Sequence, residues 1–155
     1  MKRFFCRTCD GRWAGCQRGS AAVEAALILP VLFLLMTGVF ELGFAAYESM
    51  QVQSAADAGA QYAARNTWDA AKISEAVVGA TGASGIDATP APSLFCACPT
   101  GGTLAAISCV SLCPNRTTPG RYAVVSARKT HETIVSYPGL PEPVVLTAQS
   151  IIRIQ

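Results

Sequence analysis

Seven cysteines, one histidine and two acids at the margins of an apolar run are the residues of this chain with chemistry to offer. Cys96, Cys98, Cys109 and Cys113 form one cluster, while Cys6, Cys9 and Cys16 form another on the far side of the apolar run. A membrane between the two clusters would put them in different redox environments. Outside the cytoplasm the later four are expected to form two disulfides. Cys96 and Cys98 are poorly placed for each other, so each is expected to bond one of Cys109 and Cys113, in an order the sequence does not fix. A zinc site is the competing reading, because CxC with CxxxC offers four thiolates; export favours the disulfides. No role is assigned to the three early cysteines. His131 is the only histidine, so nucleophilic triads and multi-histidine metal centres lack parts. It is expected at the surface or as satisfied packing in a strand. The glycines of GATGASG, residues 79–85, are followed by no Lys-Ser/Thr pair and make no phosphate loop. Asn115-Arg116-Thr117 fits a glycosylation sequon, a pattern common by chance. The expectation is a protein that is not an enzyme, with no catalytic, cofactor-binding or metal-binding residue and no cofactor.

The acids gain meaning from their position. Residues 25–40 carry no charge, and continuing past Glu41 to Tyr47 gives 23 mostly apolar residues. At 1.5 Å per residue that is about 35 Å of helix, enough to cross a hydrocarbon layer of roughly 30 Å. Pro30 should kink this helix gently, a flaw membranes tolerate. Residues 1–20 hold five bases against one acid, and the other 135 residues hold seven bases against nine acids. This asymmetry predicts a cytoplasmic N-terminus and an external body. Nucleic-acid binding is poorly supported, since the basic excess is confined to one short arm. The chain as a whole, 155 residues with 51% hydrophobic and 14% charged, is too apolar for a disordered tail. A buried core helix and a secretory signal cleaved near Ala45 and Ala46 are the other readings of the run. Glu24 and Glu41 then stand at or inside the membrane zone, where a carboxylate is costly unless it is paired or has a task.

The stretch Gly19-Ser20-Ala21-Ala22-Val23-Glu24 resembles the cleavage site of a type IV prepilin. That resemblance implies cutting after Gly19 by a membrane prepilin peptidase. It leaves Ser20 as the new terminus and Glu24 as the fifth residue, whose carboxylate would meet the terminal amine of a neighbouring subunit. Opposite charges in a low-dielectric bundle attract strongly enough to set register. More widely, residues 19–65 resemble the TadE-like family, minor pilin-related proteins of tight-adherence (Flp-type) pilus systems. The matching features are Val23-Glu24-Ala25-Ala26, Pro30, Glu41-Leu42-Gly43, Tyr47 and Gly59-Ala60-Gln61-Tyr62-Ala63-Ala64. Ala25 and the cysteine-rich leader depart from the family pattern. The resemblance implies a minor pilin or pseudopilin of the bacterial inner membrane, able to enter a pilus. Its partners would be prepilin peptidase, other pilins, the inner-membrane assembly platform and the lipid bilayer. Glu24 and Glu41 become the assembly residues. The alternative is a static membrane-anchored envelope protein whose outer domain binds a partner.

The expected fold is α+β and type IV pilin-like: a long N-terminal transmembrane helix continuing outside the membrane and packed on a small antiparallel β-sheet. Residues 1–19 are expected to form a basic leader, 20–47 the transmembrane helix, 48–78 an external helix and 79–155 a disulfide-bonded β domain. Val52, Ala55, Ala56, Gly59, Tyr62 and Ala63 recur at helical spacing, so residues 24–78 are counted as one rod with a weak point at Asn66-Thr67. Gly79 is the expected stop. Residues 79–93 read as a loop, and 121–137 and 144–155 as strands joined by a turn at Pro138-Gly139-Leu140-Pro141. In the last strand Val144, Leu146, Ala148, Ile152 and Ile154 share a face that Ile151 leaves.

Overall fold

The structure is a computed structural model that describes residues 20–133 and 143–154. The expected leader with Gly19 and its three cysteines, and the turn at 138–141, lie outside the described residues. The described residues fall into two units, with the boundary between Val39 and Phe40.

Helix α1, Ser20–Arg65, passes through Pro30 without ending. Over the first unit its side chains from 21 to 36 are exposed on every side, although they include Leu27, Leu32, Phe33 and Leu34. A helix with no polar face and no covering partner suits lipid or other apolar helices rather than water.

From Phe40 onward α1 changes character. Val52, Ala55, Ala56, Ala60 and Ala63 are buried along one stripe, and small side chains there let other elements approach closely. The stretch 48–78, expected as one helix, is two. Asn66 ends α1 by directing both its backbone N–H and its side-chain amide to the Tyr62 carbonyl, at 3.1 and 3.0 Å. Asp69 then caps α2, Ala70–Gly79, accepting from the backbone N–H groups of Ala71 and Lys72. The weak point at Asn66-Thr67 is therefore a full break. In a continuous rod Gly59 and Val77 would stand about 27 Å apart. Instead a Cβ at Gly59 would collide with Val77 Cγ2 and lie 2.8 Å from Val125 Cγ1, so α2 folds back beside α1 and the sheet.

The sheet has five antiparallel strands: β1 Ile86–Asp87, β2 Ser93–Thr100, β3 Thr103–Ile107, β4 Gly120–His131 and β5 Val144–Arg153. β4 is its axis. β5 covers one edge from Tyr122 to His131, while β2 and β1 share the other edge in succession, and β3 extends the sheet from β2. Ala123, Val125 and Ala127 of β4 point into the core with Val52, Ala60, Ile73, Val77 and Ile86. On β5, Leu146, Ala148 and Ile152, with Ile154 just beyond its end, pack against that core and Ile151 is exposed, as the alternation predicted.

β2, β3 and the short β1 were not foreseen. β2 and β3 form a hairpin whose two central residues, Gly101 and Gly102, have φ of 57° and 87°. That backbone belongs to a primed two-residue turn, which favours Gly-Gly.

Candidate functional site

The expected site residues fall into three places. At the start of α1, Ser20 is the first helical residue, and Glu24 follows one turn later as an exposed side chain.

In the second unit the disulfides are Cys96–Cys109 and Cys98–Cys113, with Cα separations of 5.1 and 5.7 Å. The pairing order left open by the sequence follows from the hairpin. Cys96 and Cys98 are two residues apart on β2 and so share a face. Ile107 lies opposite Cys96, and β3 ends there, delivering Cys109 back to Cys96. The longer path to Cys113 then closes on Cys98.

The third place gathers Glu41 with residues far from it in the sequence. His131, buried near the end of β4, offers Nδ1 to Glu48 Oε2 at 2.7 Å and Nε2 to Glu41 Oε1 at 3.3 Å. Lys129 Nζ lies 2.9 Å from Glu48 Oε1. Glu41 and Glu48 are seven residues apart and so share a face of α1, while Lys129 and His131 are two apart and share a face of β4. The helix contributes two acids and the strand two bases. Each ring nitrogen of His131 thus faces a carboxylate oxygen of α1. Burial alone would push the Glu48 carboxyl up; hydrogen bonds from Lys129 and His131, together with their positive charge, outweigh it and hold the group below its ordinary value. Glu41, expected at or inside the membrane zone and as an assembly residue, thus has an intrachain partner and a side chain only 12% exposed. His131 is satisfied packing, held by hydrogen bonds to two carboxylates. The signal was present in the sequence as two acids at i and i+7 and two bases at i and i+2.

This ion cluster joins helix to strand. Its groups satisfy each other.

The described residues define an α+β protein in which one helix, Ala21–Arg65, is long and apolar enough to span a membrane, and in which a small antiparallel sheet carries two disulfides. Residues 19–61 match the family model described as TadE-like protein. The match confirms the resemblance over the span from the expected cleavage point through most of α1, and it stops before α2 and the sheet. No curated protein and no solved structure matches the chain.

Proposed function

We propose that the chain is a minor pilin or pseudopilin of a tight-adherence (Flp-type) pilus system. In this reading it is held in the bacterial inner membrane by α1, with the N-terminus cytoplasmic and the sheet domain outside. A prepilin peptidase cuts after Gly19. The amine of Ser20 and the carboxylate of Glu24 on adjacent subunits then pair and set the stagger of one apolar helix against the next. The uncovered apolar surface of residues 21–36 supplies the packing, first against lipid and then against other pilins or the assembly platform. The role is structural and needs no cofactor. The disulfides hold together an outer domain with a small core, in a compartment that keeps them oxidised.

The family match over 19–61 carries this reading, because it spans the cleavage point, Glu24 and the apolar helix together. Glu24→Gln in the native host tests it. The variant is expected to insert into the membrane at normal level and to fail in pilus formation. Unchanged pili at normal protein level would remove the assembly role of Glu24 and favour a static membrane anchor.

A further inference from the structure

Where α1 ends, a cleft of about 420 Å³ opens in the second unit, a size within the range of small-molecule sites. Its walls combine three kinds of group. Arg65 and Arg121 bring two guanidinium groups from different elements, the end of α1 and the start of β4. Among the described residues neither has a carboxylate partner. Trp68 is half-buried, packed on the core while also lining the cleft, so its indole is a held aromatic surface. The residues Ala63, Ala64 and Arg65 belong to the last turn of α1, whose carbonyls have no intrahelical donor.

We propose that this cleft binds an acidic sugar, a pyranose ring carrying a carboxylate, as in a uronic-acid unit of a polysaccharide. Each wall matches one part of that ligand. The carboxylate takes the two guanidinium forks, which suit planar bidentate recognition. The ring hydroxyls donate to the carbonyls at the end of α1. The apolar face of the ring lies on the indole of Trp68. A simple inorganic anion fits less well, because it has no flat apolar face to lie on the indole of Trp68 and no row of ring hydroxyls for those carbonyls. An acidic peptide lacks the flat, hydroxyl-edged face that the indole and carbonyls together call for. The proposal concerns the second unit alone and stands whether or not the chain assembles into a pilus.

The test uses the full chain in detergent micelles with Trp13→Phe, which leaves Trp68 as the sole indole. Digalacturonate is titrated while Trp68 emission is followed. A saturable change is expected, absent with the neutral digalactose. Arg65→Gln and Arg121→Gln, both at exposed positions, should each weaken binding roughly tenfold or more with an unchanged circular-dichroism spectrum. No saturable change, or wild-type affinity in either arginine variant, would overturn the proposal. So would inorganic phosphate or a short glutamate-rich peptide binding as tightly as digalacturonate, since either would show a site for anions or acidic peptide rather than for a sugar.

Discussion

Replacing His131 with alanine probes the ion cluster at its centre. The Nδ1 contact to Glu48 is 2.7 Å, within the range of charge-assisted hydrogen bonds, and is worth about 2 kcal/mol. The Nε2 contact to Glu41 is 3.3 Å, longer than that range, and adds less than about 1 kcal/mol. Lys129 continues to serve Glu48, whereas Glu41 loses His131 at a side chain only 12% exposed. The expected loss is therefore roughly 3 kcal/mol, the sum of these two contacts. At about 4 °C per kcal/mol for a domain of this size, the melting temperature should fall by roughly 12 °C. The assay is the thermal melt of the sheet signal in circular dichroism, at neutral pH, with disulfides intact. Glu132→Ala, an exposed neighbour, serves as control and should shift the melt by no more than about 2 °C. A His131→Ala shift as small as the control's would show that the cluster does not hold helix to strand.

Acidification acts on the same cluster through Glu48. Its carboxyl is held below the ordinary value, so its stabilisation is present above the ordinary glutamate range and is lost as pH falls through the lowered folded value. Melts between about pH 5 and 3 should therefore fall more steeply for wild type than for Glu48→Gln, and parallel curves would contradict the assignment. Gly59→Ala should destabilise by about 1–2 kcal/mol, because the collision with Val77 and Val125 outweighs the gain of about 1 kcal/mol in helix propensity. Gly79→Ala, with nothing within 4 Å of its added Cβ, should be neutral or slightly stabilising in the same denaturation experiment. Peptide mapping without reduction should recover Cys96–Cys109 and Cys98–Cys113, and a Cys96–Cys113 link would refute the hairpin register. Losing the Cys98–Cys113 bridge, whose sequence separation is 15, through a double serine variant should cost about 3 kcal/mol.

What could be read from the sequence followed from patterns that one element creates by itself. The uncharged run predicts the apolar part of α1, and the alternation from Val144 to Ile154 predicts both β5 and the outward turn of Ile151. Asn66 shows the limit of that approach. As a short polar residue it signalled weakness, but a full break depended on Asp69 capping a new helix and on Val77 finding the space left by Gly59. Those are contacts between distant residues, and helical periodicity is silent about them. The β2–β3 hairpin has a local signal in Gly101-Gly102, a two-residue turn between Thr100 and Thr103, that the expected strands did not include. The ion cluster needed the pairing of an α1 face with a β4 face. Each half is visible as a spacing, yet only the fold sets His131 between Glu41 and Glu48, residues 90 and 83 positions away in sequence.

The most direct test of the assembly account is the N-terminus of the protein purified from its native envelope, in cells that retain their peptidases, by intact mass and terminal sequencing. Ser20 as the first residue is the predicted result, since only cutting after Gly19 creates the amine that Glu24 is proposed to meet. A protein still beginning at Met1 would contradict the account and leave a static anchor. A terminus near Ala46 would contradict it in favour of a secreted outer domain.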